Sequence, residues 1–313
     1  MIPCLCVFGP TASGKSSLAL RLAREICGTI ISADSMQIYR GMDIGTAKPT
    51  CEEQNEVPHK MIDILEPSQT FSVYEYQMAA EREIHNAWDR SSPPIVVGGT
   101  GLYVDALLFH TDFGEMVVDP VISASLVRRA DEGESKQLLE ELKLVDPESS
   151  SMLHEKDVKR IVRALSVYRA TGKPLSWFKD RSHRDKGDID YLSFYLCFHD
   201  RKALYDRIEK RVDQMLENGL IEEARRLYDS GVLLERTASQ AIGYKELIPF
   251  LRGEKSLDVC ISLLKQKTRN YAKRQITWFK RYDFAIPLFM DGEDDPYRIL
   301  KERSAAFLKR YES

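Results

Sequence analysis

Two glycines followed by a lysine and a hydroxyl, spaced as Gly9, Gly14, Lys15 and Ser16 are in GPTASGKSS, make a phosphate-binding loop of the form G-x-x-x-x-G-K-[ST]. The glycines let successive backbone N–H groups point inward, and the lysine adds a point charge for the outer phosphates. Gly9, Pro10, Thr11, Ala12, Ser13, Gly14, Lys15 and Ser16 are therefore candidate anion contacts, with Ser16 also able to hold Mg²⁺ weakly. A second group follows in SADSMQIYRGMDIGTAKPT, where Asp34, Ser35, Gln37 and Tyr39 gather hydrogen-bonding groups and a ring. On the residues alone Asp34 has two readings. It could be the metal-binding carboxylate that a kinase or NTPase places at a strand end, or it could address the edge of a base on which Tyr39 stacks. The neighbours favour the base, because a metal site needs only one of them.

These groups must be held by a strand in front of the loop and a helix behind it. CLCVF reads as the strand, and SSLALRLAREI sets Leu18, Leu22 and Ile26 at helical spacing, so the loop opens a helix whose N-terminus favours anions. The alternation continues. TIISA, Thr29 to Ala33, is a second strand; FSVYEYQMAAEREIHNAW puts Val73, Tyr76, Ala80, Ile84 and Ala87 on one helical face. Another strand, Ile95 to Val97, ends in Gly98, Gly99 and Thr100 rather than in an acid. Strands alternating with helices predict an α/β fold: a P-loop NTPase-like three-layer core on a parallel sheet, with its crevice at the carboxyl ends of the strands. From about Asp112 to Asp190 the pattern turns helical and highly charged, and strand character returns in YLSFYLCF, where Leu192, Phe194, Leu196 and Phe198 alternate. The economical organisation is a core in two parts, 1–111 and 191–313, with a mostly helical insertion at 112–190.

Composition bounds the rest. The chain has 313 residues, 43% hydrophobic and 30% charged, as an ordinary globular protein does. It contains no apolar run of membrane-spanning length and no N-terminal signal pattern, so a cytoplasmic location with no membrane partner is expected. The six cysteines form no C-x-x-C pair and read as reduced, mostly buried thiols. A net charge of −3 argues against a wholly basic nucleic-acid binder, but phosphate recognition depends on local patches. Two such patches stand out. In DVKRIVRALSVYRA, Val158, Ile161, Val162 and Leu165 make an apolar face that leaves Lys159, Arg160 and Arg163 outward. KQKTRNYAKRQITWFKR interleaves Arg274 and other cations with Tyr271, Trp278 and Phe279. Each also has a plainer explanation, a solvated helix face for the first and core aromatics for the second.

Taken in order, GPTASGKS, SADSMQIYRGMDIGTAKP, GGTGLYVDALL, DVKRIVRALSVYRATGKPLS, RIEKRVDQMLENGLIEEA, QAIGYKEL and TRNYAKRQITWFKR make this sequence similar to the tRNA dimethylallyltransferases, the tRNA isopentenyl transferase family, over nearly its whole length. The absence of a zinc finger after FLKRYES matches the compact bacterial type. The resemblance implies that the loop holds the diphosphate of dimethylallyl diphosphate. The prenyl group then passes to N6 of the adenosine just 3′ of the anticodon, in tRNAs reading codons that begin with U. Negative charge builds on the leaving diphosphate, where Lys15, the loop amides and Mg²⁺ at Ser16 would act.

By the same likeness Asp34 accepts an N6 proton and orients the amine, Thr11 hydrogen-bonds the diphosphate, and Arg207 in YDRIEKR engages it. Arg211, one turn on, reads as structural, and a surface pairing of Arg207 with Asp206 is the bland alternative. Contacts to tRNA are implied for Asp34, Ser35, Met36, Gln37, Thr100, Lys159, Arg160, Arg163, Arg274 and Gln275. The partner would be an anticodon stem-loop, whose unpaired bases leave the stack at least cost, and the enzyme is expected to act as a monomer. Two competing readings remain at this point: a kinase or prenyltransferase acting on free adenine nucleotides, and a nucleotide-switched RNA-binding module without chemistry.

Overall fold

The computed structural model describes residues 1–109, 119–182, 187–234 and 240–311. The chain divides into two compact units, Met1–Val104 with Asp188–Ser313, and Asp105–Gly187. The first unit is built on a six-stranded sheet in the order β3-β2-β4-β1-β5-β6. Its strands are β1 (Ile2–Phe8), β2 (Thr29–Ala33), β3 (His59–Lys60), β4 (Pro94–Gly98), β5 (Ile189–Cys197) and β6 (Ile286–Phe289). Every pairing is parallel. β1 is buried at each position, which is why it reads as an unbroken apolar run rather than an alternating one. The edge strands β3 and β6 carry no strand signal in the sequence: β3 is two residues long, and β6 contains Pro287, tolerated because an edge strand need not donate on its open side.

Register brings the strand ends together. Phe8 pairs with Gly98, and Gly98 with Ala33, so the segments after β1, β4 and β2 leave the sheet side by side. Helices α1 (Lys15–Ile26), α2 (Cys51–Glu56) and α3 (Val73–Asp89) follow the first strands, and α4 (Gly101–Leu108) carries the chain onward. α3 opens with a capping box in which Ser72 and Glu75 satisfy each other's backbone amides, and it buries Tyr76, Gln77, Ala80, Ile84 and Ala87. After β5 come α10 (Arg201–Glu217), α11 (Leu220–Asp229), α12 (Ile248–Leu251), α13 (Leu257–Phe279) and α14 (Pro296–Leu308).

One core cluster joins the sheet to α1 and α14 through Leu5, Val7, Leu22, Phe194, Leu300 and Phe307. A second gathers Ile38, Tyr39, Met42, Val212, Ala224, Tyr244 and Leu264, fastening the segment after β2 to α10, α11 and α13. Tyr39 lies there at 1% exposure, so the stacking role expected for it is corrected: its ring is core, because the chain turns inward after Gln37. All six cysteines are free, but only Cys4, Cys6 and Cys260 are buried, while Cys27 and Cys51 are exposed.

The second unit holds α5 (Pro120–Asp131), α6 (Ser135–Val145), α7 (Pro147–Ser151), α8 (Val158–Thr171) and α9 (Leu175–Ser182). Its core packs Leu126, Leu138, Leu142, Ile161, Val162 and Leu165. The buried Asp146 accepts from Ser149 N–H at 3.0 Å and Ser176 N–H at 3.1 Å, tying α7 to α9. Lys159, Arg160 and Arg163 are exposed on α8, opposite its buried face. The boundary residue Asp112 lies outside the described residues.

Candidate active site

The loop from Gly9 to Gly14 crosses from β1 to α1. Gly14 is the N-cap of α1 with φ of 95°, a left-handed conformation that glycine adopts without a Cβ penalty. No side chain caps this helix, so its first-turn amides remain available to an anion. Two other loop amides are already taken: Thr11 N–H donates to Gln275 Oε1 at 2.8 Å and Ser13 N–H to Pro10 O at 3.3 Å. The anion cradle is therefore the start of α1 together with Lys15. The Lys15 ammonium donates to Pro10 O at 3.3 Å. Burial, and then the Arg211 cation, lower its pKa from 10.5 to about 8, with Asp34 acting in the opposite direction.

Asp34 follows β2. Its Oδ1 accepts from Met36 N–H at 2.9 Å, a local turn that fixes the carboxylate. Ser35 N–H donates to Thr100 Oγ1 at 3.0 Å, and that hydroxyl donates onward to Ser35 Oγ at 3.3 Å, joining the ends of β2 and β4. Gln37, half-buried on the cavity wall, engages both ends of its amide within the protein. Its Oε1 accepts from Ser32 Oγ at 2.9 Å, and its Nε2 donates to Thr46 O at 3.3 Å and Ala47 O at 3.2 Å. These bonds hold the segment 45–47 against β2. That segment has a second anchor. The buried Glu223 accepts from Asp43 N–H at 3.1 Å, Ile44 N–H at 2.9 Å, Gly45 N–H at 3.0 Å and Tyr244 Oη at 2.7 Å.

Helices α10 and α13 close the site. Arg207 is exposed, yet it turns to the loop rather than to Asp206. Its Nε donates to Ala12 O at 3.0 Å and its Nη2 to Ser13 O at 3.4 Å, gripping the loop from outside. Arg211, one turn on, lines the same cavity as Lys15 and Asp34, and the Asp34 charge favours its protonated form against the burial that disfavours it. From α13 come Tyr271, Arg274 and Gln275. The Tyr271 phenol is pushed up, chiefly by burial and then by the Asp34 charge. Gln275, expected at the RNA, is only 5% exposed and has both amide ends engaged within the protein.

The result is a cavity of ≈ 360 Å³, of the size that small ligands occupy, lined on its polar side by Thr11, Lys15, Ser16, Asp34, Ser35, Met36, Gln37, Arg211, Tyr271, Arg274 and Gln275. Val212, Met215, Ile242 and Leu264 line its apolar side. A cleft outside the loop, bordered by Gly14, Arg207 and Lys210, shares Lys15, Ser16 and Arg211 with it. Thr100 stands behind Ser35, and Lys159, Arg160 and Arg163 belong to the other unit. Among the described residues no group of three His, Cys, Asp or Glu could hold a metal. Ser16, which lines this cavity, suits a Mg²⁺ ion that brings its own phosphate oxygens and water rather than one caged by protein. Arg211, read from the sequence as structural, lines the cavity with Lys15 and Asp34, and its spacing four residues after Arg207 is the sign that placed it near; Glu223 has no such sign.

Comparison with known proteins bears on this arrangement. The family model described as IPP transferase matches residues 37–282, and one described as isopentenyl transferase matches 3–64. The tRNA dimethylallyltransferase of Thermoanaerobacter pseudethanolicus is 45% identical over 308 residues, 98% of each chain. The crystal structure of tRNA isopentenylpyrophosphate transferase from Bacillus halodurans superposes with a TM-score of 0.73 at 37% identity, over 99% of this chain and 98% of that one. A eukaryotic dimethylallyltransferase captured acting on tRNA gives a TM-score of 0.83 at 27% identity, over 99% of this chain and 80% of the other.

Proposed function

The chain belongs to the IPP transferase family of tRNA dimethylallyltransferases, and from that premise we propose that it prenylates tRNA in the cavity just described, drawing on dimethylallyl diphosphate. The observation that carries this reading is the placing of Asp34 in one cavity with Lys15 and the uncapped start of α1. An allylic diphosphate seated on those amides and Lys15 would share the cavity with Asp34. The adenine N6 lone pair forms the new bond to C1 as the C1–O bond breaks, and that bonding pair leaves on the diphosphate. The N6 proton passes to the Asp34 carboxylate, which the Met36 amide holds in place. Charge develops on the departing oxygen opposite Lys15 and Arg211, where fixed cations act most strongly. Ser16 is the group that would hold Mg²⁺, which when bound supplies further neutralisation of the leaving diphosphate.

The target is the adenosine 3′ of the anticodon, in tRNAs that read codons beginning with U. Arg274, exposed at the cavity edge, is placed to meet the tRNA, and Lys159, Arg160 and Arg163 supply exposed cations on α8. Action as a monomer in the cytoplasm, where tRNA is processed, belongs to this reading. No helix among the described residues is long and apolar enough to cross a membrane. Transfer to free adenine nucleotides is not favoured, since the relatives are named for tRNA.

The decisive assay mixes the protein with Mg²⁺, dimethylallyl diphosphate and unmodified tRNA bearing adenosines across the target position, then digests the RNA. Isopentenyladenosine is the expected product. Prenylated free nucleotide with unmodified tRNA would overturn the reading.

A further inference from the structure

Gln275 has its carboxamide engaged at both ends by segments that follow two central strands, β1 and β4. Oε1 accepts from Thr11 N–H in the phosphate loop, and Nε2 donates to the carbonyl of Gly99 just past β4, each at 2.8 Å. The partners themselves dictate the orientation of the amide, because a backbone N–H can only donate and a carbonyl can only accept. Glutamine is the fitting side chain: glutamate offers two acceptors and no donor, and an apolar residue offers neither. Gly99 is matched to it, since a Cβ there would stand 2.4 Å from Nε2. The same Cβ position lies 3.5 Å from Lys15 Nζ, so this contact sits next to the lysine of the cradle.

We propose that Gln275 is a positioning residue for the transfer reaction, a latch that holds the phosphate loop against the end of β4 so that Lys15 and the start of α1 are set for diphosphate before it arrives. The inference rests on the reading above. A loop bounded by Gly9 and Gly14 has conformational freedom to lose on binding, and a side chain that removes it in advance raises affinity for the anion without touching it. Gln275 follows Arg274 on α13, so the helix that offers a cation to the tRNA also secures the loop.

The test compares Gln275→Leu, Gln275→Glu, Gln275→Ala, Gly99→Ala and the Gly99→Ala/Gln275→Ala pair with wild type. Its readouts are KM for each substrate, equilibrium binding of inorganic diphosphate with Mg²⁺, and Tm. Gln275→Leu and Gln275→Glu should raise KM for dimethylallyl diphosphate and weaken inorganic diphosphate binding by about 10- to 100-fold. KM for tRNA should stay within about threefold. Gly99→Ala should weaken diphosphate binding in wild type but add little in the Gln275→Ala background, because the latch it disturbs is already gone. The proposal fails if the Gln275 variants lose only Tm while the folded fraction binds diphosphate like wild type, or if the Gly99 and Gln275 losses multiply independently. Should wild type bind inorganic diphosphate yet form no isopentenyladenosine, the functional reading fails while the binding arm still judges the latch.

Discussion

Asp34 is held by a single hydrogen bond from Met36 N–H, which leaves the rest of its carboxylate toward the cavity. Asp34→Asn keeps an acceptor for that turn and removes the base. It should lower the single-turnover rate by about 10²- to 10⁴-fold while tRNA affinity, measured by filter binding, stays nearly unchanged. Equal losses in both would assign Asp34 to RNA binding alone. Lys15 gives a pH signature. With its pKa lowered to about 8, the ammonium is charged below that pH and neutral above it. Anion capture needs the charged form, so kcat/KM for dimethylallyl diphosphate should fall as pH rises through about 8. The limb in kcat should lie at higher pH, because bound diphosphate restores the proton's advantage. Lys15→Met should remove the limb along with most of the affinity.

At the level of elements, the segment after β2 is shaped by contacts that amphipathic patterning does not reveal. In GLIEEARRL, Glu222 and Glu223 look alike, yet only Glu223 is buried and accepts from the amides of Asp43, Ile44 and Gly45. Glu223→Ala would strand those donors and should cost about 2–4 kcal/mol in chemical denaturation. Tyr244→Phe, which removes one donor to that carboxylate, should cost about 1–2 kcal/mol. Both should raise KM for dimethylallyl diphosphate, since Gly45, Thr46 and Ala47 wall the cavity. Gln37 adds to the same wall, its Nε2 donating to Thr46 O and Ala47 O.

At the scale of the molecule, the groups proposed for the anion and those proposed for RNA belong to different units. Lys159 and Arg160 are exposed on a helix of the second, and Lys15 and the start of α1 belong to the first. Lys159→Ala with Arg160→Ala should therefore weaken tRNA binding at every salt concentration. The slope of log affinity against log salt should shrink by about 0.7–0.9 for each charge removed, measured by titration across salt concentrations. KM for dimethylallyl diphosphate should not move. A change in that KM instead would mean that these cations act on the first substrate.

The phosphate loop, the principal strands, the buried face of α3 and the outward cations of α8 could be read from residues alone, because glycine spacing and hydrophobic periodicity are properties of contiguous chain. Which side chain meets that loop from 264 residues away, or which carboxylate gathers amides 178 residues away, leaves no periodic trace. Gln275 and Tyr39 carry the same functional groups in a contact with RNA as in a buried brace. Burial and partner geometry alone separate the two, and those exist only once the sheet register has brought the ends of β1, β2 and β4 together and α10 and α13 have packed over them.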